Sequence, residues 1–352
     1  MSAVARVNWT LARLARAPRK NGPMQIFTQT VGHDAPLTCY VQEPSAELSN
    51  AAVRPAVLVL PGGGYFMTSD REAEPVALAY LAEGFNAFVL RYAVGAESPF
   101  EMSFDDAKAA LAWIRDNAAA LHIDPTKVAA VGFSAGGHLA CSLATAAEDK
   151  PNALVAAYPV TLEEFGPPVG KELIDVPSHV SADTPPTFLF STSDDTVVPI
   201  RNSVALLAAL AEHGVPFESH IYLLGPHGLS LATAATANGQ APMVEPSVAQ
   251  WLRESVRFLR TVFGDFAVVG EQETFQTLVD RRRISLDMPL GRLMADERAA
   301  DVVRRHAPAL AAAMETDAFV GAVSIRQALG YRPGAVSADA LAGLERELAD
   351  LG

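Results

Sequence analysis

A serine stands between small residues in Gly132-Phe133-Ser134-Ala135-Gly136. Residues 128–131, Val-Ala-Ala-Val, read as a buried strand, and a helical pattern runs from Ala135 to Ala147. G-x-S-x-G at a sharp bend between strand and helix pushes the serine hydroxyl out at the sheet edge. Positions two before and two after the serine must be small, because side chains there would clash in so tight a turn. The same turn leaves the serine at a helix N-terminus, where free N–H groups and the dipole favour developing negative charge. That is the setting for nucleophilic acyl transfer. An ordinary glycine-rich strand–helix turn is the alternative; the flanking strand and helix favour the nucleophile.

Acyl transfer needs donors about 3 Å from the oxyanion of the tetrahedral intermediate. A second apolar run, Leu58-Val59-Leu60, ends in Pro61-Gly62-Gly63-Gly64-Tyr65. Three glycines let a backbone approach a ligand and aim its amides inward. The N–H groups of Gly63 and Gly64, with that of Ala135, are the expected donors. A phosphate-cradling loop is disfavoured, since neither G-x-G-x-x-G nor G-x-x-x-x-G-K-S/T occurs here.

With a nucleophile on such a turn, the acid and then the base follow in chain order. Four histidines lie beyond residue 195. His213 precedes Gly214 at a helix end, His220 lies in a strand pattern, and His306 falls near the C-terminus. His227, in Gly225-Pro226-His227-Gly228, occupies a loop directly after the last strand and is the expected base. The acid belongs at a strand tip. The run 187–191 leads to Ser193-Asp194-Asp195-Thr196, and adjacent aspartates cannot both face the histidine. Asp195 is favoured, with Asp194 left as a turn or capping residue.

The elements that would carry these residues alternate. Strands are expected at 37–41, 56–60, 85–92, 127–132, 154–158, 187–191 and 217–223, with helical stretches between them. Several strands are almost continuously hydrophobic, as parallel strands covered on both faces are. Ser69-x-x-Glu72 and Ser103-x-x-Asp106 have the spacing of capping boxes, and Gly84 and Gly214 fall where helices end. The alternation implies an α/β fold with a mostly parallel, doubly wound sheet over residues 25–263. Residues 160–185, rich in Pro, Gly and acid, interrupt the rhythm as a cap-like insertion. A basic arm is expected at 1–24, or a start at Met24; a linker containing Arg281-Arg282-Arg283 at 264–283; and a small helical domain at 284–352, with helices near 297–315 and 337–350.

The chain has 352 residues, half of them apolar, and a net charge of −13. That is enough apolar side chain for a large core. An acidic surface repels phosphate backbones, so no nucleic-acid partner is expected. Cys39 and Cys141, the two cysteines, form neither a disulfide framework nor a cysteine-rich zinc site. No apolar run approaches a bilayer span, and no secretory pattern opens the chain. A cytoplasmic location without membrane partners is therefore expected, with a homo-oligomer left open.

With these residues in hand, the chain resembles the α/β-hydrolase superfamily, and within it the acetyl-xylan and feruloyl esterase-like branch. The resemblance covers about residues 25–263. It is carried by Pro61-Gly62-Gly63-Gly64-Tyr65, the stretch from Ser69 through Glu72 to Ala77, Gly132 through His138, Asp195-Thr196-Val197-Val198-Pro199, and His227-Gly228. Lipase-like relatives carry His-Gly-Gly-Gly; Pro61 replaces that histidine, which points toward the sugar-ester branch. The resemblance implies a cofactor-free and metal-free serine esterase acting on short acyl esters, such as acetyl groups on xylo-oligosaccharides. It also matches Asp195, not Asp194, to the family's acid. His138 is expected to be a packed helix residue. The competing expectations are a peptidase or amidase on the same scaffold, and a non-catalytic binding protein.

Overall fold

The structure is a computed structural model that describes residues 24–268, 284–331, 334 and 336–351. The chain divides into two compact units between Leu259 and Arg260. The basic arm expected at 1–24, apart from Met24, and most of the expected linker, including Arg281 to Arg283, lie outside the described residues.

The first unit is built on one eight-stranded sheet. Its strands are β1 (Met24–Val31), β2 (Ala35–Gln42), β3 (Arg54–Leu60), β4 (Asn86–Leu90), β5 (Ile123–Phe133), β6 (Ala153–Ala157), β7 (Thr187–Thr192) and β8 (Phe217–Tyr222), in the order β1-β2-β4-β3-β5-β6-β7-β8. β1 and β2 pair antiparallel, as do β2 and β4; every later pairing is parallel. β4, β6 and β7 are buried at every position, which is why they read as unbroken apolar runs. All seven expected strands are present.

β1 is additional. It is an edge strand that puts Gln25, Phe27 and Gln29 on its half-buried face and Ile26 on its exposed one. That inverts the usual inside–outside alternation, so the sequence gives no strand signal there.

Among the described residues, five α-helices follow the strands of this unit: α1 (Glu74–Ala82), α2 (Phe100–Asp116), α3 (Ser134–Thr145), α4 (Arg201–Glu212) and α5 (Trp251–Phe263). Gly84 and Gly214 follow the ends of α1 and α4 with φ of 94° and 65°, the left-handed conformation expected of a helix terminator. Trp251 of α5 is buried under the strand tips. Its indole stacks on Phe190 of β7 at 4.7 Å and meets Phe133 of β5 edge-on at 5.7 Å. The ends of β5 and β7, where the chain turns toward Ser134 and Asp195, therefore rest on one aromatic floor.

Neither expected capping box forms. α2 begins at Phe100, after Pro99, so Ser103 and Asp106 lie inside it. The same i, i+3 spacing places both on one helical face. That face is buried: Ser103 Oγ donates to the Ala93 carbonyl at 2.7 Å, and Asp106 accepts from the N–H groups of His33 (2.6 Å) and Ala93 (2.8 Å). Ser69 makes no side-chain cap, and Glu72 turns into the interior.

Residues 160–185 contain three short 3₁₀ turns, at Glu163–Phe165, Pro167–Val169 and Val176–His179. They are tied to α4 by Asn202, whose side-chain oxygen accepts from Thr161 N–H at 3.0 Å. They are tied to α3 by His138, whose Nε2 lies 2.8 Å from the Ile174 carbonyl. Lys171 is buried and donates to the carbonyls of Gly95 and Ser98.

The second unit is helical. It includes Leu290–Ala295, Glu297–His306, Pro308–Thr316, Ala318–Ala322, Ile325–Tyr331 and Ala338–Ala349, around buried Leu290, Leu293, Val303, Ile325, Leu344 and Leu348. Ser337 caps the last helix by accepting from Ala340 N–H at 3.2 Å. The helical pattern near 297–315 is split at Pro308, which cannot continue the preceding helix.

Candidate active site

The strand-to-helix turn is steric in origin. β5 ends at Phe133, and α3 starts at Ser134 with a φ of 53°. A non-glycine residue held there stores backbone strain. What holds it is the close approach of β3. A Cβ on Gly136 would stand 2.1 Å from the Leu60 carbonyl oxygen and 2.3 Å from that of Pro61. Only glycine lets α3 start so near the neighbouring strand.

Ser134 at the start of α3, Asp195 in the loop after β7 and His227 in the loop after β8 meet. Ser134 Oγ lies 2.8 Å from His227 Nε2, and His227 Nδ1 lies 2.6 Å from Asp195 Oδ2. A carboxylate only accepts, so Nδ1 carries the ring proton and Nε2 is left to accept from the serine hydroxyl. Asp195 is buried, and its other oxygen accepts from the N–H groups of Val197 and Val198, each at 2.9 Å. Asp194 faces elsewhere. Its Oδ1 accepts from Gly225 N–H at 2.8 Å and so anchors the start of the loop that carries His227.

The loop after β3 lies against the serine: a Cβ on Gly62 would be 3.0 Å from Ser134 Cβ. Gly63 and Gly64 have φ of 134° and 63°, and no protein acceptor for either N–H occurs among the described residues. The loop is fixed by its other groups. Gly62 N–H donates to Glu72 Oε2 at 2.8 Å, the Tyr92 hydroxyl donates to the Pro61 carbonyl at 2.6 Å, and Gly95 N–H donates to the Tyr65 carbonyl at 2.8 Å. Ala135 is the next residue after the serine, at the open end of α3.

Several buried polar groups around this site were not legible as such. Glu72 accepts from Gly62 and, at 2.7 Å, from the Tyr158 hydroxyl. Burial pushes its pKa up, against the lowering effect of those two donors, Arg71 and His227. The Tyr65 hydroxyl lies 2.8 Å from His138 Nδ1. Since the Ile174 carbonyl can only accept, Nε2 of His138 carries the ring proton and Tyr65 donates to Nδ1. Burial pushes the His138 pKa down to about 4, so it is neutral near pH 7. It is a packed helix residue, as expected. The glycine loop and the stretch from Ser69 to Ala77 carry signal in the sequence, but side-chain direction within them does not.

The remaining late histidines bond elsewhere: His213 to the Ala209 carbonyl, His220 to Glu218, and His306 to Glu347. Among the described residues no three His, Cys, Asp or Glu side chains gather as a metal-ligand set, and no helix is long and apolar enough to cross a membrane.

The family model BD-FAE matches residues 44–162. Among solved structures, an α/β-hydrolase enzyme from a Medee basin deep-sea metagenome library, MGS-M1, is 43% identical. The match covers 68% of this chain and 97% of that one, with a TM-score of 0.64. An acetyl ester-xyloside bifunctional hydrolase from Caldicellulosiruptor lactoaceticus is 33% identical over 65% of this chain and 88% of that one, with a TM-score of 0.56. Among curated proteins, an acetylxylan esterase from Xylanibacter ruminicola is 29% identical over 59% of this chain and 46% of its own length. The chain spans 33 to 54% of the length of the first curated relatives it matches. The chain belongs to the α/β-hydrolase family, in its esterase group, related to acetylxylan and feruloyl esterases and to carboxylesterases.

Proposed function

We propose that this chain is a serine esterase that removes short acyl groups, acetyl above all, from xylo-oligosaccharides or related sugars. The observation that carries the chemistry is the unbroken hydrogen-bonded line from Ser134 Oγ through His227 to Asp195. The acetyl-sugar substrate is supported by two relatives, an acetylxylan esterase and an acetyl ester-xyloside hydrolase.

The steps follow from proton positions. His227 Nε2 takes the hydroxyl proton as Ser134 Oγ attacks the ester carbonyl. Asp195 keeps Nδ1 protonated and stabilises the imidazolium that forms. The N–H groups of Gly63, Gly64 and Ala135 hold the oxyanion. His227 then gives its proton to the leaving alcohol, and the acyl group stays on Ser134. Water repeats the sequence, with His227 as its base, and releases the acid. No step calls on a metal or cofactor. The six residues all lie in the unit that ends at Leu259.

Acid release tests the substrate: acetate from acetylated xylo-oligosaccharide and from p-nitrophenyl acetate, ferulate from a feruloyl ester. Preference for the acetylated sugar is expected. Faster release from the feruloyl ester would move the assignment to aromatic acids. Equal or better turnover of an aminoacyl anilide would replace esterase with amidase.

A further inference from the structure

Glu72 is a buried carboxylate that the acyl-transfer steps do not use. It is 3% exposed, and each oxygen meets a donor: Gly62 N–H on Oε2 at 2.8 Å and the Tyr158 hydroxyl on Oε1 at 2.7 Å. The Tyr158 oxygen itself accepts from Ser230 N–H at 2.9 Å, so its own proton points to Glu72. A donor on each oxygen fits the ionised form of the acid.

The two ends of this chain of bonds are the two pieces of backbone whose spacing the reaction needs. At one end, Gly62 opens the loop of Gly63 and Gly64 beside Ser134. At the other, Ser230 follows His227 in the same loop after β8. In the middle, the Tyr158 ring lies edge-on to the His227 ring, with centroids 5.1 Å apart. Tyr158 is held at a φ of 36°, a strained conformation for a non-glycine residue. Arg71 adds a parallel tie: its guanidinium donates to the carbonyls of Gly228 (2.8 Å) and Thr236 (3.2 Å), and its own carbonyl accepts from Ser230 Oγ.

We propose that Glu72 is a positioning residue that locks the oxyanion loop to the His227 loop through Tyr158. This rests on the assignment of Ser134, His227 and Asp195 above. Tyr158 joins the two sides, donating to Glu72 through its hydroxyl and meeting His227 with its ring. Burial pushes the Tyr158 phenol up, so it stays protonated near neutral pH and keeps its proton for Glu72.

The test compares kcat and KM of p-nitrophenyl acetate hydrolysis for the full chain and for Glu72→Gln and Tyr158→Phe. Glu72→Gln keeps the shape but offers one acceptor oxygen where two donors need one each. Its kcat should fall by about 10- to 100-fold with KM little changed. Tyr158→Phe breaks the same tie at its middle, and its kcat should fall with KM little changed as well. A wild-type kcat in either variant, or a loss carried by KM alone, overturns the proposal. If Glu72→Gln does not fold, the kcat of Tyr158→Phe decides. Fluorophosphonate labelling separates the two levels. An unlabelled Ser134 in the wild type brings down the acyl-transfer assignment and this inference with it. A labelled Ser134 with unaltered variants brings down this inference alone.

Discussion

Asp195 Oδ2 lies 2.6 Å from His227 Nδ1, and that bond fixes which ring nitrogen faces Ser134. The neighbouring Asp194 holds the same loop by a different atom, the Gly225 N–H. Two adjacent carboxylates therefore have separable tasks. Asp195→Asn removes the acceptor that sets the tautomer and should lower kcat on p-nitrophenyl acetate by about 10⁴-fold. Asp194→Ala loses one loop hydrogen bond and should lower kcat far less, with a stability loss of about 1 kcal/mol in urea unfolding. Equal losses of kcat would show that the two are not distinct.

Gly136→Ala should damage the fold before it damages chemistry. The new methyl would stand within 2.3 Å of the carbonyl oxygens of Leu60, the last residue of β3, and Pro61 just after it, and neither strand nor helix can move alone. A loss of at least about 2 kcal/mol is expected, read as a lower Tm. An unchanged Tm would mean that the approach of α3 to β3 is looser than described.

The parts of this fold that could be read from the sequence are those where burial is two-sided or the backbone has few options. β4, β6 and β7 are apolar throughout because both faces are covered, and the turn at Ser134 needs small neighbours. What could not be read depends on side-chain direction. β1 turns glutamines inward and Ile26 outward. Ser103 and Asp106 have cap spacing but serve as an internal clamp on the Ala93 backbone. Glu72 has the same spacing from Ser69, yet a short 3₁₀ turn sends it into the core. Spacing alone does not tell a helix start from a helix face.

His138 predicts an acid-side loss of stability. Its pKa falls from 6.5 to about 4 on folding, so between those values the unfolded chain binds more protons than the folded one. Stability should therefore rise with pH through that window and be lost as pH falls through it, by up to about 3 kcal/mol in all. His138→Gln should flatten this slope in urea unfolding series, although it lowers stability at every pH. An unchanged slope would exclude His138 as its source.

Trp251 couples the core to the base loop. Its indole N–H donates to the Ser230 carbonyl at 2.9 Å while its ring stacks on Phe190. Trp251→Phe keeps most of the stack and strands that carbonyl, at a cost of about 1–3 kcal/mol. It should also lower kcat by slackening the loop that carries His227. A variant that loses stability but keeps full kcat would show that the loop is held without Trp251.

The most direct measurement is mass-spectrometric mapping of a fluorophosphonate probe on the folded chain. A serine made nucleophilic by His227 predicts one adduct, on Ser134, with strong loss of labelling in His227→Ala. It also predicts that p-nitrophenyl acetate turnover in Ser134→Ala falls by at least about 10³-fold. An adduct elsewhere with Ser134 unmodified, or full esterase activity in Ser134→Ala, would contradict it.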